Sequence, residues 1–234
     1  MSSGMLGQSL AVTRRVGLAS ANGSSLLVDT YQHASPSMAR FATMNPFHFV
    51  PEWRIPVPGQ PGTTASSLES VWQGLKIVND RTDLEMFHNR PNKRPPEGER
   101  GSGFDYAGSR LMFGEHPVDL VAGRLLIYLP AYLYLLDRLV PQSVVEEILG
   151  TLRDGSDVLF FDCDDNFDIF DDRTSFSHSA LLAAWFGGRL EADFIRPRAA
   201  YLDRADLPHT DAGRDSLATD RYLRIHSLEG AWTQ

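Results

Sequence analysis

Four residues within eight positions carry the first hint of chemistry: Glu69, Trp72, Gln73 and Lys76. Projected on a helical wheel at about 100° per residue, Leu68, Val71, Leu75 and Val78 fall on one side, which faces a core. Glu69, Gln73 and Lys76 recur at i, i+4 and i+7 on another side, with Trp72 on the border. A carboxylate beside an ammonium perturbs the pKa of both when the pair is partly buried. An indole next to them offers a face on which a nucleobase stacks. The plainer reading is a solvated polar face of the kind most amphipathic helices display. Upstream, the run NPFHFVP holds Asn45, Phe47 and Phe49, aromatics that either anchor the core or line a pocket beside Trp72. Downstream, Asp162 and Asp165 follow a short apolar run, VLFF, and are the best placed second carboxylates.

Other chemistries find less support. The stretch DCDDNFD from position 162 is rich in oxygen ligands, but no glycine stands at its sixth place and no glutamate at its twelfth, as a calcium loop requires. A solvated acidic turn is the expectation there. The seven histidines are scattered without a His-Glu-x-x-His or Cys/His pairing, so no metal site is expected. Glycine-rich phosphate loops, dinucleotide fingerprints and nucleophile elbows are missing, so no cofactor is expected either. Cys163, the single cysteine, makes no internal disulfide, which fits a reducing compartment. Between aspartates its thiol is a poor nucleophile.

The elements that must position these residues make up one domain. A chain of 234 residues with 42% apolar and 22% charged side chains is long enough for a full core. Its net charge of −8 excludes a protein that coats nucleic acid by neutralising phosphates, but leaves a nucleotide or a nucleic-acid end open as substrate. No apolar run reaches the length of a membrane span, and the Ser- and Gly-rich residues 1–23 read as a flexible start rather than a signal peptide. A cytoplasmic location is expected. Short strands are predicted at 24–29, 40–43 and 158–161, with helices at 66–78, 130–139, 141–152 and 177–186, the last closed by Gly187–Gly188. Residues 124–129 read as a strand or a buried helical turn, and 222–226 as a possible strand. Two Pro- and Gly-rich loops, 51–64 and 89–103, interrupt the pattern, the second carrying Arg90, Lys93, Arg94 and Arg100. The fold class expected is α+β: a mainly helical single domain over 24–190 with a few short strands and no βαβ alternation. A charged extension over 191–234 packs on it or flanks it.

The helix segment SSLESVWQGLK resembles the corresponding helix of the NADAR superfamily, where a glutamate is followed by an aromatic, a glutamine and a lysine at these steps. The segment from Asn45 to Pro51 is similar to that group's Asn-Phe-x-Pro approach, although Pro46 breaks the order. Residues 135–151 and 177–188 resemble its later helices. An uncharacterised group of bacterial and phage proteins shares the W-Q-G-L-K segment and is the nearer likeness. The group's Asp-x-x-Trp-Gly signature is missing, since residues 162–172 hold no tryptophan.

The resemblance implies a fold that cleaves N-glycosidic bonds, with ADP-ribosylated guanine in nucleic acid or related nucleotides as substrates. Such cleavage builds positive charge on the sugar and negative charge on the departing base. A carboxylate stabilises the first and a proton donor assists the second. A lysine can instead attack the sugar carbon and form an imine. Glu69, Lys76 and Asp162 are thereby the candidate catalytic residues. Asn45, Phe47, Phe49, Trp72, Gln73 and Asp165 are the candidate substrate-binding residues, Gln73 orienting a hydroxyl or base edge. The expected partner is a nucleotide or modified nucleic acid, with no membrane, and the sequence sets no oligomeric state. Loss of the Asp–Trp signature favours another reading, an inactive nucleotide-binding or protein-interaction module that kept the fold. A protein-binding accessory protein with Tyr128, Tyr132 and Tyr134 as an exposed stripe is a third, against the plainer reading of these tyrosines as core.

Overall fold

Residues 6–13, 25–31, 35–94 and 106–204 are described in the computed structural model of the protein. In chain order they form β1 (Ser9–Thr13), β2 (Leu26–Asp29), a 3₁₀ turn (Ala39–Met44), β3 (Ile55–Pro56), β4 (Thr64–Ala65), α1 (Leu68–Leu75) and β5 (Lys76–Ile77). A second 3₁₀ turn (Leu84–His88), β6 (Arg110–Phe113), β7 (His116–Asp119), α2 (Leu120–Arg138), α3 (Gln142–Arg153) and β8 (Val158–Asp162) follow. The chain then runs through α4 (His178–Phe186), a π-helical turn (Glu191–Ile195) and α5 (Arg196–Leu202). Among the described residues, helix at 41% against strand at 18% makes this a mixed, helix-leaning α+β domain.

β8 is the structural centre of the polar chemistry. All five of its residues are buried, as a strand covered on both faces must be. It pairs in parallel with β1 on one side and β2 on the other, Val158 standing opposite Ser9 and Leu26. Parallel pairing brings the C-terminal ends of β2 and β8 side by side, so that Thr30 and Asp162 leave the sheet together. Ligand crevices form outside such strand ends. The pairing also corrects the expectation of a flexible start over 1–23, since residues 9–13 are the edge strand β1. The strand expected at 40–43 is a 3₁₀ turn whose Phe41, Ala42 and Met44 point into the core.

The core gathers around α2. Pro130, expected to open a new helix, lies inside a continuous one. Its ring crowds the carbonyl of residue 126 and it donates no N–H. The turn just before it is widened: the Leu129 N–H reaches back five residues to the Arg124 carbonyl, a π turn over Arg124–Tyr128. α2 is long and apolar enough to cross a membrane, but 78% of its most apolar window is buried within the domain, so it is the core helix. The exposed tyrosine stripe is overturned here. Tyr132 is fully buried with its hydroxyl donating to the Met44 carbonyl at 2.6 Å, and Tyr128 and Tyr134 pack against the core. Beyond α4 the first part of the C-terminal extension packs on the domain through buried Phe194 and Arg198, whose Nε donates to the Leu125 carbonyl at 2.9 Å. The strand expected at 222–226 lies outside the described residues.

Candidate active site

α1 is shorter than its apolar spacing suggests, because the chain turns at Lys76 into the strand β5, paired with β6. Its N-terminus is capped by Ser67, whose Oγ accepts from the Ser70 N–H at 3.0 Å. The Glu69 N–H donates to the Pro46 carbonyl at 2.9 Å, tying the helix to the aromatic run before it. The solvated polar face is overturned: Glu69, Gln73 and Lys76 are only 7%, 5% and 7% exposed. What covers them comes from distant parts of the chain.

Gln73 is held at both ends of its amide. Its Nε2 donates to Glu69 Oε1 at 2.7 Å, and its Oε1 accepts from the Arg94 backbone N–H at 3.0 Å. It thereby orients Glu69 and holds the loop while lining the cavity. The Arg94 guanidinium completes the strap by donating to the carbonyls of Gln73 at 2.8 Å and Lys76 at 3.0 Å, which α1 leaves free at its end. The described part of the basic loop thus lies against the site, and Lys93 beside Arg94 lines it. Arg94→Ala is expected to lower stability by about 2 kcal/mol through loss of the two charge-assisted bonds, or roughly 4–8 °C in melting temperature for a chain of this size. It should also speed proteolytic cleavage in the loop. Calorimetry and limited proteolysis check this, and an unchanged melting point with unchanged cleavage would show the strap to be ornamental.

These residues wall an open cavity of about 750 Å³, ample for a nucleotide. Asn45, Phe47, Glu69, Trp72, Gln73 and Lys76 line one side. The π turn of α2 supplies Arg124 and Tyr128, the latter edge-to-face with Trp72 at 5.8 Å. The end of β8 and the start of α4 supply Asp162, Cys163, Asp164, Ser175, Phe176 and His178. Tyr31 and Phe47 stand exposed at the mouth. Of the residues picked out from sequence, two fall elsewhere. Asp165 is exposed outside the cavity, and Phe49 lies under the Arg90 guanidinium at 5.5 Å. Both were chosen for proximity in sequence, and neither the turn after β8 nor the chain beyond Phe47 brings these two side chains to the cavity.

Histidine 178 carried no signal in the sequence, yet it organises the far wall. Its Nδ1 lies 2.7 Å from Asp162 Oδ2 and its Nε2 2.7 Å from Thr30 Oγ1. Asn45 Nδ2 donates to that hydroxyl at 3.1 Å, extending the chain of bonds across the sheet end. Ser177 Oγ donates to Asp162 Oδ2 at 2.7 Å, and the N–H groups of Cys163 and Asp164 donate to Oδ1 at 2.7 and 3.3 Å. The turn expected to be solvated is therefore built inward at Asp162. The ligand atoms of Asp162, Cys163 and Asp164 lie within 4.8 Å of one another, but the Asp162 carboxylate already accepts bonds on both oxygens and has little to offer a cation.

The two carboxyl groups are driven apart electrostatically. Burial raises the pKa of Glu69, against the opposing bond from Gln73 and the charges of Lys93 and Lys76, and Asp164 pushes it further up. Burial would raise Asp162 as well, but the His178 charge and bond, with the Ser177 hydroxyl, outweigh it and hold Asp162 well below the usual carboxylate range. One cavity thus holds a carboxyl that keeps its proton more readily than usual and a carboxylate that stays ionised. Burial pushes the Tyr128 phenol well up, so it faces the cavity as a neutral hydroxyl.

Fold and site define an α+β domain with a carboxyl-lined cavity outside the ends of parallel strands. The chain belongs to DUF6939, a family of unknown function, whose pattern covers residues 14–182 and so spans α1, β8 and His178. No curated protein and no solved structure matches it.

Proposed function

We propose that the protein is an N-glycosidase-like hydrolase of NADAR type, acting on an ADP-ribosylated or otherwise modified nucleotide or nucleic acid. The observation that carries this reading is the pairing, in one cavity, of a carboxyl with raised pKa and a carboxylate with lowered pKa. Environments that push acids apart mark Glu69 as the proton donor, and the ionised Asp162 makes the end of β8 the anionic side of a glycoside-cleaving site. Glu69 delivers its proton to the base as the C–N bond breaks and the bonding electrons leave with the base nitrogen. The aspartates at the end of β8 face the positive charge on the sugar and direct water to its carbon. Trp72 and Tyr128 offer aromatic surface to the base. Lys76 holds an anionic part of the substrate or, in the covalent variant, attacks the sugar carbon and passes through an imine. The second reading, an inactive binding module, is favoured by the lack of a tryptophan between positions 162 and 172.

Purified protein is incubated with ADP-ribosylated DNA, NAD-derived nucleotides and modified nucleosides, and released base and sugar are followed by mass spectrometry. Free base from one class of substrate is the expected outcome. Trapping of the protein by borohydride during turnover, with the label mapped to Lys76 rather than Lys93, would assign the imine route to Lys76. Tight binding of a nucleotide with no base released from any of the three classes would sink the hydrolase and leave the binding module.

A further inference from the structure

Asp162 stands at the cavity, but its lone pairs are spoken for. A carboxylate offers about four acceptor directions. Here the Cys163 and Asp164 N–H groups occupy Oδ1, while the Ser177 hydroxyl and His178 Nδ1 occupy Oδ2. Ser177 is itself steadied by Ser179 at 2.7 Å, and His178 is held from its other side by Thr30. A substrate hydroxyl or water that bonded Asp162 would have to displace one of these donors and leave a buried group unpaired, which is costly.

Its neighbour is differently placed. Asp164 is half-buried and lines the same cavity. Oδ2 accepts from the Ser175 hydroxyl, and Oδ1 accepts no hydrogen bond among the described residues. Its charge reaches across to Glu69 and to the Tyr128 phenol, raising the pKa of both. The Asp164 backbone is bonded directly to the Asp162 carboxylate, so whatever fixes Asp162 also fixes Asp164.

We propose that Asp164 is the catalytic carboxylate that meets the sugar and its attacking water, and that Asp162, clamped by Ser177 and by the His178 that Thr30 holds in turn, is the positioning residue that presents it. This rests on the glycosidase reading and divides the labour within it. In the step so assigned, water oxygen bonds the anomeric carbon as the C–N bond breaks, the water proton passes to Asp164 Oδ1, and the departing nitrogen takes the proton of Glu69. His178 does not exchange protons with substrate, because both its ring nitrogens are held by protein partners. The same arrangement recognises a cationic, sugar-shaped ligand such as an iminoribitol.

Full-length wild type, Asp164→Ala, Asp164→Asn, Asp162→Asn and His178→Gln are compared in three measurements. With a substrate that wild type turns over, Asp164→Ala is expected to lose about 10²–10⁴-fold in kcat with its melting point little changed, and to regain activity in formate, whose carboxylate fills the gap. Asp162→Asn and His178→Gln should lose stability first and show no rescue by formate. The ¹⁵N resonances of the His178 ring, read by NMR, should move in Asp162→Asn and stay in Asp164→Asn. An iminoribitol cation, titrated calorimetrically, should bind Asp164→Asn at least tenfold more weakly than wild type. Wild type that releases no base overturns the glycosidase reading alone, because the calorimetric arm still reports on Asp164. Equal affinity of wild type and Asp164→Asn for the cation, no binding by wild type, or formate rescue confined to an Asp162 variant, overturns the assignment of Asp164.

Discussion

Glu69→Gln removes turnover while making the protein more stable. The substitution is nearly isosteric and keeps an acceptor for the Gln73 Nε2 that now bonds Glu69 Oε1. What it deletes is the proton, and loss of a general acid costs about 10²–10⁴-fold in rate. The stability gain follows from linkage. Burial raises the folded-state pKa of Glu69 above its unfolded value, so its favourable contribution is complete below the unfolded value and is lost as pH rises through the folded one. At pH 7, above the unfolded value, the raised pKa weighs against folding and glutamine carries no such cost. The melting temperature of Glu69→Gln should exceed that of wild type at pH 7, and the two should converge below about pH 4. The rate carries the same signature: kcat should fall on the alkaline side as Glu69 loses its proton, with Asp162 held ionised far below that range. Residual turnover within tenfold of wild type would remove Glu69 from the chemistry. A lower melting temperature at pH 7 would mean that Lys76, Lys93 and the Gln73 amide, rather than burial, set its state.

The parts of this site that could be read from sequence are those set by local periodicity. The apolar spacing of Leu68, Val71 and Leu75 placed the helix and put Glu69, Gln73 and Lys76 together on its other side. The unbroken apolar run of 158–161 announced a doubly covered strand, and Gly187–Gly188 the end of α4. Periodicity says which side of a helix faces a core. It is silent on whether the opposite side meets water or a second wall. The cavity that Glu69 shares with Arg94, Tyr128 and Asp164 is assembled by tertiary packing. His178 was invisible for the same reason: its partners Asp162 and Thr30 become neighbours only because β2 and β8 pair in parallel. The π turn left no trace in the hydrophobic pattern, since Arg124 to Tyr128 alternates no differently from an ordinary turn. Residue types singled out the polar side of α1 and Asp162, and gave no sign of the Arg124, Ser175 and His178 that complete the opposite wall.

That wall depends on a single buried cation, and Arg124→Met should show how much. Arg124 is 3% exposed and donates from Nη1 to the Ile169 and Asp171 carbonyls at 3.1 and 2.7 Å, and from Nη2 to the Thr174 carbonyl at 2.6 Å. Its guanidinium also lies over the Phe176 ring at 5.8 Å. It thus gathers the loop between β8 and α4 that carries Asp164, Ser175 and Phe176 to the cavity. Methionine fills much of the same volume and removes the donors. Two of the three carbonyls keep a partner, because Asn166 Nδ2 also donates to Asp171 and Thr174, at 2.8 and 3.2 Å. The Ile169 carbonyl is left alone. Charge-assisted bonds contribute about 1.5–3 kcal/mol each, and the shared acceptors reduce their sum, so a loss of about 3 kcal/mol is expected, or roughly 6–12 °C in melting temperature. Activity should fall further than stability, since the loop that loses its anchor holds Asp164 against the substrate. Arg124→Lys, with one compact donor head, should recover part of the melting temperature and little of the rate. A melting point within about 2 °C of wild type, which corresponds to less than 1 kcal/mol, would show that Asn166 alone suffices to fold the loop.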